Sequence, residues 1–331
     1  MDLTTRYLGL RLKNPLVAGA SPLNGDLGNI RHLEDLGAAA VVLPSIFEEQ
    51  VEQEQRVVER AIATGSDSYG EALSYFPAQA AHGIGPERYI EVVHSAAEAV
   101  DIPVIASLNG TTNHGWINYA RQIEEAGASA IELNIYFIPS DLNLSGQDVE
   151  QRYLEILKVV KKVVQIPVSI KISPYFSAPG HMARQLDEAG ADGLVLFNRF
   201  YQPDIDLARL TLVSDLKLSH STEIRLPLLW IGVLSGQIKA SLAASTGVET
   251  VDEVVKYLLA GADVVMTTSS LLRNGIGHMK VLLDDLTGWC EARKLETLDA
   301  IRGRMSHKNI ADPIAFERAN YIKILQGYDV S

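Results

Sequence analysis

Four stretches of the chain repeat one arrangement of polar and apolar positions: DLGAAAVVLP from Asp35, EAGASAIELN from Glu125, EAGADGLVLF from Glu188 and LAGADVVMTT from Leu259. Each reads as a helix end, a capping glycine and then the unbroken apolar run of a buried strand. Two more, DIPVIASLNG from Asp101 and QIPVSIKISP from Gln165, open a strand behind a proline, whose missing N–H is tolerated at a strand edge. Gly127 to Gly190 spans 63 residues and Pro103 to Pro167 spans 64, which fits two strand–helix units per period.

The same pattern, followed along the chain, predicts eight strands: Pro15–Ser21, Ala40–Phe47, Pro103–Gly110, Ala130–Phe137, Pro167–Pro174, Gly193–Phe200, Lys239–Ser245 and Asp263–Ser270. Apolar strands without alternation, separated by helical segments, predict an α/β fold, a parallel (β/α)8 TIM barrel; a doubly wound sheet is the alternative. We expect residues 1–331 to form a single domain with a C-terminal helical extension from about 297. Insertions are expected after strands 2 and 6, at about Glu48–Ile84 and Tyr201–Leu228. The first carries the run EEQVEQEQRVVER, which reads as a solvated helix face; both loops are candidates for an active-site cover.

Composition narrows the function. A net charge of −12 disfavours nucleic acid and anionic membrane surfaces, leaving small molecules or proteins as partners. Neither a signal peptide nor an apolar run of membrane-spanning length is apparent, so a cytoplasmic protein is expected. With 1 cysteine, Cys290, the chain has no internal disulfide and no iron–sulfur cluster of its own.

In a barrel, chemistry sits at the C-terminal ends of the strands. Those ends read Ala20-Ser21, Pro44-Ser45, Asn109-Gly110, Asn134, Lys171, Asn198, Ser245-Thr246-Gly247 and Thr268-Ser269. A strand-end Ser, Thr or Asn often only caps the next helix. Lys171 differs, because lysine inside an apolar strand needs a partner or an anion. The Ser245–Val248 and Thr268-Ser269 segments place hydroxyls and N–H groups at neighbouring helix starts, which suits phosphate.

These residues carry a resemblance. LKNPLVAGASP, the PS of VVLPSIF, ELN, KISPYF, LFN, STGVET and GADVVMTTS together resemble the dihydroorotate dehydrogenase family, its soluble class 1 branch in particular, over nearly the whole chain. The resemblance implies an FMN-dependent oxidoreductase of CH–CH bonds in pyrimidine metabolism. It implies that Ala20, Ser21, Ser45 and Asn109 touch the flavin, that Asn134 lies beside ring and substrate with Asn198 on the substrate, and that Lys171 faces the flavin N1/O2 edge. Thr246, Gly247, Thr268 and Ser269, with Ser235 and Gly236, would bind the cofactor's phosphate side. A cation at N1/O2 makes physical sense, since hydride arrival leaves negative charge there. A homodimer is a further implication; with too few cysteines for a cluster, electron exit needs a redox partner protein or a soluble acceptor, and no metal is expected.

The departures are all on the substrate side. The family's ELNLSCPN-type motif ends in a Cys or Ser base; ELNIYFIP has Phe137 there, and Pro139 in place of a substrate-binding Asn. Pro44 replaces a lysine, and SYFPAQAAHG stands where an NxxGLPN-like loop would be. Phenylalanine cannot remove a proton. Tyr136 adjoins the position but alternates to the other side of an extended strand, while His82 and Tyr75 lie in the long loop after strand 2. Tyr175 matches a structural position of the motif. Three readings therefore stand: an FMN oxidoreductase acting on a dihydropyrimidine-like or other small ring, an aldolase or isomerase barrel using Lys171, and a non-catalytic flavoprotein electron-transfer subunit.

Overall fold

The computed structural model describes residues 1–48, 85–110, 116–199, 202–213, 216–317 and 319–327. Eight parallel strands close into a barrel in chain order: β1 (Leu16–Ala18), β2 (Ala40–Phe47), β3 (Val104–Asn109), β4 (Ala130–Asn134), β5 (Val168–Ile172), β6 (Gly193–Leu196), β7 (Ser241–Ala244) and β8 (Val264–Thr267). The expected (β/α)8 barrel is therefore the fold, and the doubly wound alternative falls. Helices α1 (Leu27–Asp35), α2 (Pro86–Ala99), α3 (Trp116–Glu125), α4 (Gly146–Lys161), α5 (Pro179–Glu188), α6 (Arg225–Leu234), α7 (Val251–Ala260), α8 (Ser269–Asn274) and α9 (His278–Ala292) surround it.

Two apolar layers follow from strands buried on both faces. The larger lies between strands and helices, with Leu16, Val41, Ile131, Ile170 and Leu194 packed against Ile30, Val93, Leu157 and Leu258. The smaller fills the barrel, where Val17, Val42, Ile105, Ala130, Val195, Ala243 and Val264 meet Tyr7, Leu8 and Leu12. Those last three belong to an antiparallel hairpin, Thr5–Tyr7 with Leu10–Leu12, whose two-residue turn Leu8-Gly9 has both φ positive. The hairpin stoppers the N-terminal end of the barrel, where Leu8 N–H donates to Ser241 Oγ at 3.1 Å. Gly193 at the start of β6 makes room for it, since a Cβ there would lie 2.5 Å from Leu8 Cδ2.

Strand ends differ from the sequence reading where pairing runs out. β4 stops at Asn134 rather than Phe137, because its partners end beside it, with Asn109 on β3 and Lys171 on β5 opposite Asn134. The chain then turns at once, with Tyr136 N–H donating to Asn134 O at 3.0 Å. β6 likewise stops at Leu196, four residues before Phe200. The insertion after β6 contains a small hairpin, Asp204–Asp206 with Thr211–Val213. The insertion after β2 lies outside the described residues, apart from its first residue, Glu48. Beyond α9, turns at Leu298–Ala300 and Pro313–Phe316 lead to α10 (Ala319–Gln326). Arg302 ties this segment to the hairpin and to β8, donating to Thr5 Oγ1 at 2.7 Å and to Asp263 Oδ1 at 3.3 Å. Among the described residues no helix is long and apolar enough to cross a membrane.

Tyr7 tests the stopper. Its ring is buried, and its hydroxyl meets the Ser169 side chain inside the barrel. Tyr7→Ala is expected to cost about 3–5 kcal/mol through the cavity it leaves, and Tyr7→Phe less than about 1 kcal/mol. Urea unfolding of the two variants beside the native protein checks both values.

Candidate active site

The polar side chains at the mouth lie on two rungs of the barrel. Residue pairing sets Phe47, Asn109, Asn134, Lys171 and Val195 side by side on β2 to β6, and two residues deeper sets Ser45, Ser107, Glu132, Ser169 and Gly193. Because side chains alternate along a strand, members of both rungs share one face. Ser45 reaches its rung through an irregularity in β2 between Val42 and Ser45, the place where Pro44 can sit without a ladder N–H.

A chain of hydrogen bonds crosses this face. Asn198 Nδ2 donates to Asn134 Oδ1 at 2.5 Å, Asn134 Nδ2 donates to Ser45 Oγ at 3.4 Å, and Ser45 and Ser107 hydroxyls meet at 2.8 Å. Asn198 is held at the end of β5 by its own N–H, which donates to Ile172 O at 2.7 Å. Lys171 lies beside Asn134 on the upper rung, its side chain 15% exposed, with the carboxylate of buried Glu132 3.8 Å away. Burial pushes the Glu132 carboxyl upward, and the Lys171 charge opposes that shift.

The ends of β1, β7 and β8 form a second corner. Gly19 N–H donates to Thr267 O at 2.9 Å, and a Cβ on Gly19 would lie 2.6 Å from Thr268 Oγ1, so Gly19 lets Thr268 close on the β1 end that carries Ala20 and Ser21. Asn24, absent from the sequence reading, pins this end through Nδ2 bonds to Gly19 O at 2.9 Å and Val42 O at 2.7 Å. Thr246 and Gly247 both adopt positive φ after β7, and Tyr257 anchors them by donating to Thr246 O at 2.8 Å. Ser219 joins them: Gly247 N–H donates to Ser219 Oγ at 3.1 Å, and the Ser219 and Ser269 hydroxyls bond at 2.9 Å.

Ser219, absent from the sequence reading, thus lies in this corner, whereas Ser235 and Gly236, expected there, do not. Ser235 terminates α6, its N–H donating to Ile231 O at 3.0 Å and its hydroxyl lying against Gly261 at the start of the β8 unit. A loop from helix to strand emerges at the N-terminal end of the barrel, so the pair stands at the end opposite the mouth. The segment before α6 reaches the mouth instead. Glu249 fastens that segment, accepting from Ser221 N–H at 3.1 Å, meeting His220 Nδ1 at 3.0 Å and pairing with Arg273 at 2.6 Å. Burial raises the Glu249 carboxyl, but these donors outweigh it and leave it below the ordinary carboxylate range.

Of the alternative bases, His82 and Tyr75 lie outside the described residues. Phe137 is half-buried with the Arg152 guanidinium of α4 stacked 4.0 Å from its ring centroid, and Pro139 is exposed. Tyr136 is half-buried in the same turn. Since the strand has already ended, strict alternation does not govern where Tyr136 lies. Beyond Asn198, a cleft of about 590 Å³ runs past Thr246 between Tyr175, Arg199, Lys217 and Arg225.

Comparison with known proteins decides what this mouth belongs to. The dihydroorotate dehydrogenase family profile matches residues 2–288. The chain belongs to the dihydroorotate dehydrogenase family. It is 25% identical over 303 residues to the protein named dihydroorotate dehydrogenase B (NAD(+)), catalytic subunit, of Shouchella clausii, covering 89% of this chain and 95% of that one. The protein of the same name from Thermoplasma acidophilum is 26% identical over 300 residues, with 86% and 94% covered. A putative dihydroorotate dehydrogenase A (fumarate) of Aeropyrum pernix is 28% identical over 223 residues, 64% of this chain and 71% of that one.

As a member of the dihydroorotate dehydrogenase family the protein is an FMN-dependent oxidoreductase. The donor set suits that cofactor: one cation and several amides at the centre of the mouth, and hydroxyls with a close-approach glycine at the β1/β8 corner. Gly247 supplies a test of the corner. A Cβ there would lie 2.7 Å from His220 O at a φ of +73°, a backbone clash that no side-chain rotation relieves. Gly247→Ala is expected to destabilise the protein by about 1–3 kcal/mol and to weaken FMN retention, measured by thermal melting and by equilibrium dialysis of FMN.

Proposed function

We propose that this protein oxidises or reduces a CH–CH bond of a small planar ring, dihydropyrimidine-like or similar, at a substrate site diverged from that of dihydroorotate. The observation that carries the reading is the hydrogen-bonded row Asn198–Asn134–Ser45 beside Lys171, an amide-rich surface next to a cation inside an apolar barrel. Bound FMN supplies the hydride chemistry. Lys171 supplies positive charge where negative charge develops, and in a low-dielectric site such a fixed charge acts strongly. Asn134 and Asn198 offer donors and acceptors in the plane of a ring, and the Asn198 N–H bond to β5 keeps them oriented. On this reading Ala20, Ser21, Ser45, Asn109 and Asn134 line the flavin, Thr246, Gly247, Thr268 and Ser269 hold its phosphate with Ser219 beside them, and residues 1–331 form one cytoplasmic domain with a helical extension from about 297.

The Lys171 side chain is 15% exposed and lies 3.8 Å from buried Glu132, a placement that suits a fixed electrostatic role better than a Schiff-base one. Cys290 is buried, and as the chain's 1 cysteine it cannot build a cluster, so electrons leave to a soluble acceptor or a redox partner protein. We infer a homodimer from the hairpin after β6, which exposes Ile205, Leu207, Leu210 and Leu212 together.

Lys171→Ala is expected to lower the reduction potential of bound FMN and slow its reduction; an unaltered potential in a folded, FMN-loaded variant would remove Lys171 from the flavin. Dihydroorotate is expected to reduce the native enzyme poorly. A positioned base contributes about 10²–10⁴-fold to such a proton removal, and Phe137 provides none. Anaerobic stopped-flow reduction by dihydroorotate, with Phe137→Cys alongside, decides this. Fast bleaching of the native enzyme would assign the base to Tyr136 or a residue of the β2 insertion such as His82.

A further inference from the structure

Glu132 is unused by the site as described so far. It is fully buried, its carboxylate oxygens accept no hydrogen bond from the described residues, and the Lys171 ammonium lies 3.8 Å from Oε1. A carboxylate without donors is expensive in an apolar interior, and glutamine would fill the same volume without a charge. The titratable groups facing it are Lys171 from β5, Tyr7 from the N-terminal hairpin and Tyr89 from α2. Burial raises both phenols far above neutrality, so neither exchanges protons in the working range. On its own rung, the Ser107 hydroxyl is engaged with Ser45 at 2.8 Å and the Ser169 hydroxyl with Ile131 O at 3.4 Å. Lys171, 15% exposed, is the group among these that lies between Glu132 and the mouth.

We propose that Glu132 is a positioning residue that acts on the flavin through Lys171, charged while FMN is oxidised and protonated once it is reduced. The inference rests on the reading that Lys171 faces the flavin. When the reducing substrate loses a hydride to FMN, it also releases a proton to solvent. Lys171 passes its own proton to the Glu132 carboxylate and takes another from solvent at the mouth. The sum is reduced substrate, FMN and Glu132 carboxylate giving oxidised substrate, FMNH⁻ and Glu132 carboxylic acid. Lys171 ends as an ammonium whose neighbouring carboxylate has been neutralised, so its whole field falls on the new negative charge. Reoxidation of the flavin returns the proton.

Two measurements on native protein, Glu132→Gln and Glu132→Asp test this. The first uses FMN-free protein: labelling of Lys171 by an acylating reagent, resolved by mass spectrometry, is followed against pH. Loss of the carboxylate in Glu132→Gln is expected to speed Lys171 labelling near neutrality about tenfold or more. The second is the pH dependence of the midpoint potential of the FMN-loaded proteins, with the reduced-flavin absorbance recorded to separate a proton on the flavin from one on the protein. Uptake is expected to be about two protons per two electrons in native protein, about one in Glu132→Gln, and restored in Glu132→Asp. Equal uptake in native and Gln variants overturns the proposal, as does an unchanged labelling rate. Failure of the underlying flavin placement shows separately, as a Lys171→Ala potential equal to the native one. Melting curves establish that each variant is folded, and the isosteric glutamine, which removes a buried charge, is expected to fold.

Discussion

The placement of one lysine inside an apolar barrel constrains the rest of the site. Lys171 sits on a strand otherwise read as VSI-I, and it is tolerable there because Glu132 lies one rung deeper at 3.8 Å and because its own rung opens to the mouth. The pairing of β4 with β5 that sets Asn134 beside Lys171 is the same pairing that sets Glu132 beside Ser169. The register that delivers the cation therefore also delivers its counter-ion and the first amide. A slip of β4 by one residue would turn Glu132 and Asn134 outward, into the helix layer, and leave Lys171 without either.

The two sides of the mouth are supported differently. The Lys171 side and the β1/β8 corner are held by backbone pairing and by buried polar anchors such as Asn24 and Tyr257. The opposite side consists of the turn after β4, with Phe137 stacked on Arg152, and of the described part of the insertion after β6. Scaffold strands fix a cofactor precinct, while loops after them are free to diverge without disturbing the barrel. That division suits a chain matched by one family profile over residues 2–288 whose turn after β4 carries Phe137 and Pro139.

The segment from Leu216 to Ile224 shows how tertiary contacts complete a site from outside the strand ends. Its Ser219 hydroxyl reaches Gly247 and Ser269, and its backbone is fastened by Glu249 and Arg273. These contacts tie the segment before α6 to the ends of β7 and β8.

Strand identity and order were legible in the sequence, because an apolar run behind a glycine cap can hardly be anything but a buried strand after a helix; Ala40–Phe47 was read to the residue. That Lys171, Asn134, Asn198, Ser45 and the Thr246–Ser269 corner share one end of the barrel was legible too, since barrel geometry sends strand ends to one mouth. Ser235-Gly236 was misplaced and Ser219 overlooked for one reason: inside a long insertion only the fold says which short polar stretch approaches the mouth and which ends a helix at the far side. The stop of β4 at Asn134 was likewise decided by where its neighbours end, not by its own residues. The counter-charge of Lys171 was hidden because Glu132 is adjacent to it only across strands, 39 positions apart in the chain. Sequence alone determined the barrel and the line of strand ends, since periodicity is local physics; the pairing of Glu132 with Lys171 and the arrival of Ser219 are long-range contacts that only closure of the barrel decides.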